Sequence, residues 1–258
     1  MARLVCVNAW GGRILQPFLQ YLKEADADIY CIQEVLDSPM QWEDELYCPN
    51  LLDKIQEVLP DHNVYYMPFC DDFFFDRPIQ ATVTFGIATA VRRSLMVGKV
   101  EDHFVFLQRH GPPFAPRGVD VPRGVQMVEL PQHGIWIMNF HGLVTGSPYK
   151  GDSPLLLEQS RRIRALMEGK RVILAGDFNI TAHCESMRIL DAGMSNLIIE
   201  GGITSTRNHY WKHEDKYSDY ILVPEDLAIE KFSVADTEVS DHLPLELAFM
   251  LPSSAQRS

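Results

Sequence analysis

The sequence predicts an α/β fold in which two β-sheets pack face to face and helices cover their outer surfaces. Strand-like runs number about ten by pattern, against three or four helical segments. That is too many strands for a doubly wound sheet built from 258 residues. The run 172–175 is apolar throughout, as a strand covered on both faces should be. No repeat, low-complexity tract or linker marks a domain boundary.

In chain order, MARLVCVNAW (1–10) alternates as a strand, and Ile14, Leu15, Phe18, Leu19 and Leu22 then recur at helical spacing. DIYCIQEV (28–35) reads as a short buried strand ending in Gln33 and Glu34. A second helix is expected from about Trp42 to Leu59, with Leu46, Leu51, Leu52, Ile55 and Val58 on one face. NVYYMPF and TFGIATAVRR read as strands, and KVEDHFVFLQ leads into RHGPPFAPRGVDVPRG (109–124). The four prolines and three glycines of that last segment predict an exposed loop. Strand signals return at VQMVEL and GIWIMNFHG. Ser153 before Pro154 is a helix start, with the helix running to about Glu168. RVILAGDFNIT (171–181) follows, then a short helix near Glu185 to Leu190 and strands at YSDYILV, AIEKFSV and LPLELAFM.

No stretch is apolar for the roughly 18 residues that a membrane helix requires. The first residues enter strand alternation at once, leaving no room for a secretion signal. Cys6, Cys31, Cys48, Cys70 and Cys184 are scattered, without a C-x-x-C pair, so neither a disulfide framework nor a zinc site is expected. A cytoplasmic location is the expectation. With 23 basic and 35 acidic residues the net charge is −12, which weighs against a general duplex-DNA binder. Polyanionic substrates remain open, because a metal ion and a few arginines can supply positive charge at the site alone.

Five strand ends carry polar residues: Asn8, Glu34, the pair Asn139 and His141, the pair Asp177 and Asn179, and Asp241 with His242. Asp219 adds an acid inside the apolar SDYILV. Any one alone reads as a turn residue. Together they form a chemical set. Glu34, Asp241 and Asn8 are hard oxygen ligands suited to Mg²⁺ or Mn²⁺. Two histidines supply a general acid or base and a donor to a phosphoryl oxygen, and Asp177 orients or deprotonates a water. Asp219 beside His242 would fix its tautomer and raise its pKa.

The motifs VNAW, IQEV, NFHG, GDFN, SDYILV and SDHLPL, in this order from residue 8 to 242, resemble the series of the endonuclease/exonuclease/phosphatase superfamily. The resemblance implies a four-layer α/β sandwich, two packed mixed β-sheets flanked by helices, with the site at one end. A site built from both ends of the chain implies one domain over 1–258. On this likeness Glu34 resembles the principal metal ligand, with Asn8 and Asp241 beside it. Asp177 resembles the residue that positions or activates water, Asn179 the amide that contacts the scissile phosphate, and His242, held by Asp219, the histidine that binds or protonates phosphate oxygens. His141 resembles the histidine that assists the leaving group, although QATVTFGIATAV offers no acid to support it.

The expected function is divalent-metal-dependent hydrolysis of phosphate esters by a phosphodiesterase or nuclease, on short or single-stranded nucleic acid or a nucleic-acid adduct. The alternatives are a phosphatase or phospholipase-C-like hydrolase of a small phosphorylated molecule or lipid head group, and a non-catalytic binding protein on the same fold. Arg207 is placed to reach a phosphate or to lie solvated in its loop. Arg117 and Arg123 border the Pro-rich loop as substrate clamps or, in preference, as surface charges. Phe73 to Phe75 suggest base stacking, lipid contact, a subunit interface or packing beneath a loop. Gly176 is expected to let substrate approach the backbone.

Overall fold

The computed structural model describes residues 1–39, 46–72, 82–110, 120–145, 151–214 and 216–252. The first sheet contains β1 (Ala2–Asn8), β2 (Ile29–Asp37), β3 (His62–Asp71), β4 (Thr84–Arg92), β11 (Ile229–Val234) and β12 (Leu245–Phe249). Their order is β11-β12-β1-β2-β4-β3. The second sheet contains β5 (Val100–Phe106), β6 (Arg123–Leu130), β7 (Ile135–His141), β8 (Val172–Asp177), β9 (Met194–Asn196) and β10 (Asp219–Pro224), in the order β5-β6-β7-β8-β10-β9. Each sheet has one parallel pair near its centre, β1 with β2 and β7 with β8. The first pair is joined through α1 (Leu15–Ala25), the second through α3 (Pro154–Met167). The expected pair of packed mixed sheets flanked by helices is therefore observed.

Alternation along β1 builds two cores. Leu4 and Cys6 join a cluster with Ile137, Met138 and Leu174 of the second sheet, while Val5 and Val7 join Phe18, Leu22, Leu51 and Ile55 of the covering helices. Helix α1 buries Phe18, Leu19 and Leu22 as its spacing predicts, and it ends at Asp26 in the left-handed region, φ 43°. At the start of α3 the Ser153 side chain accepts from the Leu156 N–H at 3.2 Å, satisfying one of the orphan donors of a helix end. Asn139 ties the sheets together. Its amide donates to the Ala88 carbonyl at 3.0 Å and accepts from Gln33 at 2.7 Å.

Three expectations need correction. The second helix, α2, spans only Leu51–Val58. Pro49 disfavours helical geometry at Cys48, and Leu46 is 46% exposed rather than on the buried face; residues 42–45 of the expected span lie outside the described residues. The short strand β9 and the helix α5 (Leu197–Glu200) were not anticipated, whereas α4 (Glu185–Leu190) was. Gly176 does not leave space for substrate: a Cβ there would lie 1.9 Å from the Phe140 carbonyl oxygen on the neighbouring strand. No described helix is long and apolar enough to cross a membrane.

Candidate active site

Parallel pairing places the carboxyl ends of β1 and β2 together, and likewise those of β7 and β8; ligand sites in α/β sheets form at such ends. Asn8 ends β1, His141 ends β7 and Asp177 ends β8. Register sets His141 and Asp219 on either side of Asp177, across β7, β8 and β10. Glu34 lies where the β2–β4 register shifts, between Ile32 and Val35, and has φ 55°. This irregularity turns its side chain out of the regular alternation. Trp10 at φ 50° and Asn179 at φ 55° share that uncommon geometry, which costs roughly 1–3 kcal/mol per residue and concentrates at functional sites.

Asp177 is the hub. Its Oδ2 accepts from Asn8 Nδ2 at 3.1 Å, and its Oδ1 accepts from the Asn179 N–H at 3.1 Å and from the Ser218 hydroxyl. The Nε2 atoms of His242 and His141 stand 3.6 and 3.9 Å from Asp177 Oδ2, and His141 Nε2 is also 3.9 Å from Glu34 Oε1. Asn179 Nδ2 donates to the Gly142 carbonyl at 3.1 Å. His242 Nδ1 faces both Asp219 oxygens at 2.8 and 2.9 Å, the pairing expected from sequence, and Thr206 donates to Asp219 at 2.9 Å.

The two histidines differ electrostatically. Burial and Arg207 push the His242 pKa down, but Asp219, Asp241 and Asp177 outweigh them and the net shift is upward. His141 is held well below its ordinary value by burial and by the nearby Arg123 guanidinium. Its Nδ1 is buried without a hydrogen-bond partner, and the rings of Phe69 and Phe85 lie at 6.2 and 5.9 Å. The sequence found no acid to support His141, and among the described residues none bonds that nitrogen. Burial, then the like charge of Asp241, raises the Glu34 carboxyl to about 7.

Two arginines belong to this cluster. Arg207 is 6% exposed, not a solvated loop residue. It donates to Asp241 at 2.7 Å and to the Ser218 hydroxyl at 3.1 Å. Arg123 is 4% exposed, which overturns the preferred reading of it as a surface charge. Its guanidinium donates to the carbonyls of Gly142 and Pro122 at 2.8 and 3.2 Å and has no carboxylate partner among the described residues. Such a buried, unpaired cation is unfavourable unless an anion joins it. No local sequence signal marks it: Arg123 opens β6, and only the pairing of β6 with β7 brings it beside His141. Arg117 and Phe73 to Phe75 lie outside the described residues.

The donor set suits a hard divalent cation. Glu34 Oε2 is buried without a hydrogen-bond partner, and Glu34, Asp177 and Asp241 crowd negative charge that Arg207 only partly offsets. Among the described residues two groups of acids and histidines bring ligand atoms within 4.8 Å of one another, Glu34 with His141 and Asp177, and Asp177 with Asp219 and His242. Asn8 and Asp241 also act on the Glu34 carboxyl, the first by a side-chain hydrogen bond and the second by its like charge.

Two stacked mixed sheets with acids, amides and histidines gathered at one end define the architecture of a phosphate-ester hydrolase. The chain belongs to the endonuclease/exonuclease/phosphatase family, whose sequence profile matches residues 6–242. Members of this family are hydrolases of phosphate esters and generally use divalent metals. An endonuclease/exonuclease/phosphatase from Bacteroides vulgatus shares the fold with TM-score 0.69 at 15% identity, over 97% of this chain and 98% of its own. A mannosyl-6-phosphatase from Bacteroides thetaiotaomicron gives 0.66 at 16%, over 97% and 100%. A truncated TDP2 from Caenorhabditis elegans gives 0.63 at 16%, over 96% and 97%. No curated protein matches the chain by sequence.

Proposed function

We propose that this chain is a phosphodiesterase or nuclease that cleaves short or single-stranded nucleic acid, or a nucleic-acid adduct, with Mg²⁺ or Mn²⁺. The observation that carries the reading is the convergence of Glu34, His141, Asp177, Asp219 and His242 from both sheets around one point. The net charge of −12 disfavours a long duplex held by its phosphates and favours a short substrate held at one phosphate. Because Asn8 and His242 come from opposite ends of the sequence, 1–258 is read as one domain. Five buried free thiols fit a reducing cytoplasm.

Glu34 would hold the divalent ion, with Asn8 and the Asp241 oxygen not taken by Arg207 beside it. Bound there, the ion supplies positive charge to phosphoryl oxygens and lowers the pKa of water. Arg123 binds a phosphoryl oxygen through its unpaired guanidinium. Asn179 orients the phosphate by its amide. Asp177, fixed by Asn8, Ser218 and the Asn179 N–H, positions the attacking water and accepts its proton. His242, whose protonated form Asp219 favours, donates from Nε2 to a phosphoryl oxygen. His141, neutral beside Arg123, would assist the leaving oxygen by a hydrogen bond donated from Nε2.

The test is hydrolysis of bis(p-nitrophenyl) phosphate and of a panel of oligonucleotides, nucleotides and phospholipid head groups, with Mg²⁺ or Mn²⁺ and with EDTA. Activity on oligonucleotides that EDTA abolishes is expected. Glu34→Ala and Asp177→Ala should each lose it, and full activity in either variant, or in EDTA, would overturn these assignments.

A further inference from the structure

We propose that the aromatic surface formed by Trp10 and Tyr210 is the seat of a nucleobase, the base carried by the phosphate that the site hydrolyses. The inference rests on the phosphodiesterase reading and adds where the substrate's ring goes.

Trp10 opens the 3-10 turn after β1 of the first sheet, Tyr210 lies in the segment leading from α5 into β10 of the second, and both are tied to the site by short connections. Trp10 lies two residues beyond Asn8, and its N–H donates to Asn8 Oδ1 at 2.9 Å, while Asn8 itself holds Asp177. Tyr210 lies on the 207–211 loop, where Asn208 Nδ2 donates to the Ser240 carbonyl at 2.6 Å and the Tyr210 N–H donates to Asn208 Oδ1 at 3.1 Å. That anchors Tyr210 to the segment carrying Asp241 and His242. The Trp10 and Tyr210 centroids are 5.9 Å apart with planes inclined by 51°, so the rings open as a wedge rather than closing as a stack. On the same loop Trp211 packs 4.2 Å from the Arg207 guanidinium, which reaches Asp241.

The chemistry of this surface selects a planar ring. Tyr210 is 40% exposed. Behind Trp10 the Arg13 guanidinium lies 4.6 Å from its ring and 4.6 Å from that of Tyr47, whose hydroxyl accepts from Arg13. Asn208 is engaged inside the protein, while the exposed His209 sets its ring 4.1 Å from that of Tyr210, with the planes inclined by 35°, and pairs with Glu238 at 2.9 Å, so that ring faces line this surface. A sugar needs partners for its hydroxyls; a base needs a face, and stacking accepts any base. Trp10 is held at φ 50°, a conformation that a bulky side chain adopts only under constraint from its surroundings.

The experiment compares fluorescein-labelled trithymidylate with the same trinucleotide carrying tetrahydrofuran abasic residues. Binding is read by anisotropy in EDTA, and kcat/KM is read separately with Mg²⁺. Wild type should prefer the base-bearing probe by about tenfold, within the range of stacking on one aromatic ring. Tyr210→Ala should bring that ratio close to unity and Tyr210→Phe should restore it, since the ring face and not the hydroxyl is used. Equal affinity of wild type for both probes, or an undiminished ratio in Tyr210→Ala, overturns the seat. A base preference without hydrolysis in Mg²⁺ would sink the phosphodiesterase reading and leave the seat standing. Hydrolysis without base preference would do the reverse.

Discussion

Replacing Asp219 by Asn removes one negative charge and almost no volume, which makes it the sharpest probe of the His242 pair. Both Asp219 oxygens lie within 2.9 Å of His242 Nδ1, and both residues are buried. Against burial and Arg207, Asp219 is the foremost influence raising the His242 pKa. In the variant that support disappears while burial and Arg207 remain, so the cationic form is lost at lower pH. The amide also brings a donor where only acceptors stood. Turned toward Nδ1, it requires that nitrogen to be an unprotonated acceptor, which opposes the cationic ring. Turned away, it meets Thr206 Oγ1, which already accepts from the Ser218 and Asp219 N–H groups at 3.2 and 3.3 Å. A charge-assisted hydrogen bond is worth about 1.5–3 kcal/mol, and a displaced acid–base group costs about 10²–10⁴ in rate. The expected result is a kcat on bis(p-nitrophenyl) phosphate reduced by about 10²-fold or more. The limb of the pH profile that follows His242 should move to lower pH, with a thermal midpoint near that of wild type. An Asp219→Asn enzyme with wild-type kcat and an unmoved profile would refute the reasoning.

Arg207→Met leaves the buried Asp241 without its cation and should destabilise by about 3–5 kcal/mol in urea unfolding; an unchanged midpoint would mean that Asp241 is already neutralised by other groups. Gly176→Ala drives a methyl into the Phe140 carbonyl on the adjacent strand and should cost about 1–3 kcal/mol, measured the same way, whereas a neutral effect would restore the open-space reading. His62 gives a pH test far from the site. Its Nε2 lies 2.9 Å from the Ala27 carbonyl, its Nδ1 is buried without a partner, and burial holds its pKa below the usual value. Folding therefore favours the neutral ring. The contribution is fully present above the unfolded value of about 6.5 and is lost as pH falls through the lower folded value. Thermal midpoints measured downward from neutrality should fall less steeply in His62→Gln, and identical slopes would count against this account.

The sequence carried most of the site because its polar residues interrupt apolar runs, and such interruptions are local. Asn8, Asp177 and His141 end their strands, and the Asp219–His242 pairing was anticipated from residue type alone. Arg123 was misjudged, and Arg207 left open, for the opposite reason. Arg123 follows a Pro-rich loop and Arg207 lies in a polar segment, where local pattern suggests solvent. Each is buried by strands distant in sequence, and each finds partners there that no window of neighbouring residues contains.

By itself the sequence determined the class of fold, the family, the ends of α3 and α4 and the identity of the polar set, because periodicity, capping and residue chemistry are written along the chain. Tertiary structure alone decided that Asn8 meets Asp177 across 169 residues, that a register shift in β2 swings Glu34 toward the site, and that Gly176 yields to a neighbouring carbonyl. These depend on which strands lie side by side and in what register. That is a property of non-local pairing, fixed only when the two sheets assemble and their buried polar groups must all find partners.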